Sequence, residues 1–200
     1  MSSTSVHKSY YHTSTDLFQW HQYQGDATND CAAFCIAMVG NAFLNNPQFD
    51  GHTVAREMEK PVWVRSPVPH IAIRKLRNWA TLPWGISGYL QAKHIPARLR
   101  WRGSTEDLLR NIQENRFTIV ILGEPFRLEG LRFRGWAHAK VLYGFEPIGP
   151  QPERGFYFVD PGYPREWSRP QQPRGVFRQD EAEFRQQWGN MLRPYVEVGT

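Results

Sequence analysis

The sequence predicts an α+β fold. Three observations carry that prediction. The run Cys31–Val39 in "NDCAAFCIAMVGNAFL" is apolar on every side, as in a helix inside a domain. The segment "FTIVILGE" is β-branched and apolar on both faces, as in a central strand. Helical segments come first, strands follow, and one helix and one strand close the chain.

The elements read in order as follows. Asn29 and Asp30 are N-cap candidates for the buried helix, and Gly40 and Asn41 weaken its end. "GHTVAREMEK" is a short amphipathic helix ending before Pro61, and "PHIAIRKLRNWA" reads as another, ending before Pro83. "PWGISGYLQAKHI" opens with proline at a first helical position. "PARLRW" is a short strand. "STEDLLRNIQENR" is a helix with Ser104 as cap, Asp107 three residues later, and Leu108, Leu109 and Ile112 on one face. Strands follow at "FTIVILGE", "WAHAKVLYGFE", "GFYFVDPGYP" and "GVFR". A helix at "DEAEFRQQWGNM", capped near Asp180, and a strand at "PYVEV" complete the chain. The sixteen-residue segment "GEPFRLEGLRFRGWAH" reads as a loop between two strands. Residues 1–14 read as a flexible polar N-terminus and 15–200 as one domain, a size that 200 residues support.

Composition narrows the function. Hydrophobic residues make up 40% of the chain and aromatic residues 14%, which is globular. The net charge is +5, mostly from arginine, but no basic block or glycine-aromatic tract accompanies it, so nucleic-acid binding is not expected. Two cysteines make neither a disulfide framework nor a zinc site, and no metal or other cofactor is expected. No apolar run approaches a membrane span, and "MSSTSVHKSYYHTSTD" has no apolar core of a secretory signal. The expected location is cytoplasmic, where free thiols stay reduced.

The cysteines raise the chemical question. A helix N-terminus supplies free N–H groups and a positive dipole end, and both favour a thiolate. Cys31 opens the buried helix, whereas Cys35 lies one turn inside, where burial disfavours the anion. Cys31 is the candidate nucleophile and Cys35 the core residue; the alternative is that both are core residues. Of seven histidines, His138 stands in a strand between two alanines, which leaves room for another element to pack closely. Asp160 ends the following strand. It either faces His138 Nδ1 or only bonds the backbone of its own Asp-Pro-Gly turn. Gln24, seven residues before Cys31 and followed by Gly25, is a candidate side-chain donor for an oxyanion, with Gln22 and Gln19 as rivals.

These parts resemble papain-like cysteine peptidases, and more closely the double-glycine-leader peptidase-like group (cysteine-peptidase family 39-like). "DCAAFCIAMVGNA" resembles that group's nucleophile helix, "HAKVLYGFE" its histidine strand, "FVDPGYP" its acid turn, "FTIVILGE" the strand before the histidine strand, and "FRQDEAEFRQQW" its closing segment. The motifs span about Gln22 to Val198 in the expected order. The resemblance implies a papain-like fold in which an N-terminal helical part, with a buried nucleophile helix, packs on an antiparallel β-sheet. It implies Cys31 as nucleophile, His138 as general base and then acid, Asp160 as the residue orienting the imidazole, and Gln24 as oxyanion donor. The implied activity is a thiol hydrolase acting on a peptide or protein substrate, with deamidation or acyl transfer open to the same site. A binding module on the same fold is the alternative; it rests on Ala32, where the group commonly has glycine, and on the long Gln24-to-Cys31 spacing. The segment carrying Arg127, Arg132 and Arg134 with Phe126, Phe133 and Trp136 is expected to line one wall of the cleft and to favour acidic or aromatic substrates; the alternative is an exposed basic hairpin.

Overall fold

The computed structural model describes residues 10–11, 15–25, 28–64, 70–77, 79–130, 132–146, 154–164 and 176–199. Helix α1 (Cys31–Leu44) runs through the middle of the chain's apolar mass, with every residue from Ala32 to Asn41 buried. It does not weaken at Gly40 and Asn41. A Cβ at Gly40 would lie 2.8 Å from the Phe49 ring, so glycine lets that ring pack against the helix. The buried Asn41 amide is satisfied in both directions by the Phe49 backbone, at 2.8 and 2.7 Å. Helix α2 (Gly51–Met58) follows, capped by Asp50 Oδ1, which accepts from the Thr53 N–H at 2.9 Å.

The helix expected in "PHIAIRKLRNWA" does not form. Strand β3 (His70–Ala72) pairs with β2 (Val62–Val64), and β4 (Lys75–Leu76) pairs with β5 (Ala80–Thr81). A helix there needs its apolar residues on one buried face. Ile71 and Ile73 instead stand two apart and are exposed, while Lys75 is the residue that turns inward. Helix α3 (Pro83–Ala92) then begins with proline in its first turn.

The main sheet is antiparallel throughout. Its strands are β6 (Ala97–Arg100), β7 (Phe117–Glu129), β8 (Arg132–Glu146), β9 (Gly155–Val159), β10 (Val176–Asp180) and β11 (Tyr195–Val198), in the order β10-β9-β8-β7-β11-β6. A short β1 (Tyr10–Tyr11), from the expected N-terminal tail, also pairs with β8; residues 1–9 and 12–14 of that tail lie outside the described residues. Helices α4 (Thr105–Gln113) and α5 (Glu181–Asn190) complete the elements, and α4 carries the reciprocal Ser104–Asp107 capping box.

Strand alternation divides the core between the two sheet faces. Ile119, Ile121, Ala139, Val141 and Val159 face α1, α2 and α3. Val120, Leu122, Leu142 and Phe158 face α4 and α5. The segment expected as a loop is a hairpin, because β7 and β8 stay paired out to Glu129 and Arg132, with an irregularity between Glu124 and Arg127. Gly130, at φ 64, makes the reversal that a side chain would strain. The side chains of Phe126, Arg132, Phe133 and Arg134 lie outside the described residues. Among the described residues, no helix is long and apolar enough to cross a membrane.

Candidate active site

Cys31 is the first residue of α1 and is half-buried. Its N-cap, Asp30, makes no side-chain cap hydrogen bond. The Asp30 carboxylate instead turns to the Lys75 ammonium at 2.7 Å, and Glu59 meets the same ammonium at 2.9 Å. Burial would strip Lys75 of its proton, but the two carboxylates outweigh it and raise its pKa above the ordinary lysine value. The Ala33 and Phe34 N–H groups donate to the Asp30 carbonyl, and the Asp30 carboxylate takes none of the first-turn N–H groups.

The other side of the sulfur meets β8. Strand β9 ends at Val159, opposite Val141, and the chain turns at Asp160–Pro161. Beyond that point no described strand pairs with this edge of β8, and the Ala139 N–H donates to Cys31 Sγ at 3.4 Å. Proline cannot extend the ladder, so the end of β9 leaves this donor to the thiol.

His138 and Asp160 meet at the same open edge. His138 Nε2 lies 2.6 Å from Asp160 Oδ1, which also accepts from the Gly162 N–H at 2.8 Å. The carboxylate therefore takes Nε2, not the Nδ1 expected from the sequence, and Nδ1 is the ring nitrogen left for Cys31. Which nitrogen meets the acid depends on the rotation of the imidazole about its own bond, which strand position alone does not fix. Burial works against charge on His138, but its hydrogen bonds to Asp160 and to Cys31 prevail and raise its pKa to about 10. Burial likewise works against the Asp160 carboxylate, and His138, Lys140 and the Gly162 N–H outweigh it, lowering its pKa to about 2. Cys35, one turn into α1, is fully buried, and burial followed by the charge of Cys31 pushes its thiol pKa well up.

By sequence, the chain matches no protein-family model and no curated protein. By structure, it matches the crystal structure of a "putative C39-like peptidase" from Bacillus anthracis, with a TM-score of 0.63 over 96% of this chain and 98% of that one, at 13% identity. In fold, the chain is similar to a C39-like peptidase. At that identity the likeness speaks for the fold, and the site rests on the geometry above.

The three glutamines separate. Gln22 is committed to the start of α2: its Nε2 donates to Phe49 O at 2.9 Å and its Oε1 accepts from the Gly51 N–H at 2.7 Å. Gln19 is exposed. Gln24 is pinned beside the acid turn, its N–H donating to Pro161 O at 2.9 Å. Its Nε2 donates to Thr28 O at 3.2 Å, and its Oε1 is buried with no hydrogen-bond partner among the described residues. Gly25 takes φ 82 directly afterwards and lets the chain turn back towards α1.

A cleft of about 160 Å³ opens beside Cys31. Ala32, Ala137, Ala139 and Ile121 form small apolar walls, and Trp79 and Trp136, both about half exposed, also line it. Trp136 belongs to the segment expected to line the cleft, whereas Trp79 was not singled out from the sequence. Two further residues at the site also escaped sequence reading. A Cβ at Gly162 would stand 3.1 Å from Asp160 Oδ1 and 3.2 Å from His138 Cε1, so glycine keeps that contact open. Lys140, two residues after His138, reaches Asp160, and strand alternation from His138 was the signal for it.

Proposed function

We propose that this chain is a papain-like cysteine peptidase, a thiol hydrolase that cleaves a peptide or amide bond with Cys31, His138 and Asp160. One observation carries the reading: a single imidazole bridges a buried carboxylate and a thiol seated at a helix N-terminus. In this reading the thiol proton resides on His138, whose imidazolium Asp160 and Cys31 both stabilise. Cys31 Sγ attacks the substrate carbonyl carbon, and the carbonyl oxygen becomes an oxyanion held by the Cys31 N–H and Gln24. His138 gives its proton to the leaving amine, which departs and leaves a thioester on Cys31. Water, deprotonated by His138, then attacks that thioester and releases the acid. The small walls and flanking tryptophans of the cleft suit an extended peptide with a small apolar side chain at the bound position.

The test is the pH dependence of Cys31 alkylation by iodoacetamide, on a Cys35→Ala background, with and without His138→Ala. The expected result is fast alkylation persisting well below the free-thiol pKa of about 8.5, and lost with the histidine. A rate that follows an ordinary thiol and ignores His138 would sink the reading and leave a binding module.

A further inference from the structure

We propose that Lys140 is a positioning residue of this site, its ammonium balancing the Asp160 charge so that the His138 imidazolium can release its proton. The inference rests on the peptidase reading above and adds a fourth residue to it.

Asp160 has no exposed surface, and its two oxygens are served differently. Oδ1 takes His138 Nε2 and the Gly162 N–H. Oδ2 accepts no directed hydrogen bond among the described residues, but Lys140 Nζ stands 3.1 Å from it, off the hydrogen-bond direction. The lysine side chain is itself only 14% exposed and lies over the Phe158 ring at 5.6 Å. A strand lysine ordinarily extends its long stem and keeps its charge in water. This one turns inward, and a buried ammonium persists only where a partner compensates for the lost water. Leu142, the next residue on the same side of β8, fills its place with apolar packing alone.

The charge count gives the arrangement a purpose. Thiolate, imidazolium, carboxylate and ammonium sum to zero. Without Lys140 the site carries one net negative charge, and His138 holds its proton more tightly. A tightly held proton is poorly given to a leaving amine. Lys140 thus lets Asp160 orient the ring without over-stabilising its charged form.

The other titratable groups facing the site do not perform this function. Cys35, from α1, is a buried thiol whose pKa is pushed up, so it stays neutral. His21, from the segment before α1, meets the Asp160 backbone carbonyl through Nε2 at 3.0 Å, not the carboxylate. From the Asp160 turn, the Gly162 N–H alone reaches the carboxylate among the described residues.

The experiment compares the wild type with Lys140→Met, Lys140→Gln and Lys140→Arg, all on the Cys35→Ala background. It reads the His138 imidazole titration by NMR and the pH profile of Cys31 alkylation. Removal of the charge should move the His138 titration and the acid limb of alkylation to higher pH by about one unit, and Lys140→Arg should leave both near wild type. Lys140→Gln retains a donor for Asp160 and so gives the reading even if Lys140→Met does not fold. Adding Asp160→Asn to Lys140→Gln restores the balance and should bring the titration back down. An intact ion pair whose titration ignores the loss of Lys140 overturns the assignment of Lys140 alone. A wild-type protein with no His138-dependent alkylation overturns both this inference and the peptidase reading.

Discussion

On its α1 side the sheet presents Ala139, Val141, Val159 and Val196; on its α5 side it presents Leu122, Leu142, Phe156 and Phe158. The first face is small and aliphatic. It lets α1, itself rich in Ala32, Ala33 and Ala37, come close enough for Cys31 Sγ to meet a β8 backbone N–H. The second face is aromatic. Phe184 of α5 has ring centroids at 4.5 Å from Phe156, 5.3 Å from Phe158 and 5.2 Å from Trp188. Large rings bury much apolar area at a few positions, whereas small residues bury less but permit close approach. The α1 side thus sets how closely Cys31 approaches β8 and the α5 side supplies bulk burial, with His138 and Lys140 alternating onto the latter beside Leu142, so substitutions should separate close approach from stability.

The largest effect should come from the aromatic face. Phe184 is fully buried, so Phe184→Ala should cost about 3–5 kcal/mol in urea unfolding. The protein that remains folded should keep the wild-type pH profile of Cys31 alkylation. A changed profile would break the division between the faces. Next comes overpacking of the small face. Ala139→Leu places a branched side chain where α1 approaches β8, at a cost of about 1–3 kcal/mol. Its effect on reactivity should exceed its effect on stability, with Cys31 alkylation falling towards that of a free thiol. Wild-type alkylation in this variant would show that the close approach is not what the small residues provide.

A third effect is a pH dependence confined to the site. Asp160 has its pKa depressed from 3.8 to about 2, so its contribution is present above pH 3.8 and is lost as the pH falls through 2. His138 has its pKa raised from 6.5 to about 10, so its contribution is complete below pH 6.5 and is lost as the pH rises through 10. The urea midpoint of the wild type should therefore decline on both sides of the interval between pH 3.8 and 6.5. His138→Ala should flatten the alkaline decline, and Phe184→Ala should lower the whole curve without changing its shape. An alkaline decline that persists in His138→Ala would assign it to other groups.

Most element types could be read locally, because alternation, apolar runs and caps are local signals. Ser104 with Asp107, Pro83 at a helix start, and the β-branched run after Phe117 are examples. The segment from His70 to Thr81 misled because its inward residue is a lysine. Its burial depends on Asp30 and Glu59, which the sequence places 45 and 16 residues earlier. The hairpin beyond Gly123 misled because a turn-like Glu-Pro sits inside a strand at an irregularity that the pairing tolerates.

For the candidate site, local sequence alone shows which groups are chemically able: a thiol at the mouth of an apolar helix, a histidine between alanines on a strand, and an aspartate ahead of a proline that stops the next strand. Those properties belong to single residues and their neighbours. Only the tertiary structure decided which ring nitrogen meets the acid, which glutamine is already occupied, and that Lys140 bends to Asp160 while Lys75 draws the cap carboxylate away from α1. These are contacts between groups 20 to 45 residues apart. Their direction is set by where β9 ends and how closely α1 packs, which no local pattern encodes.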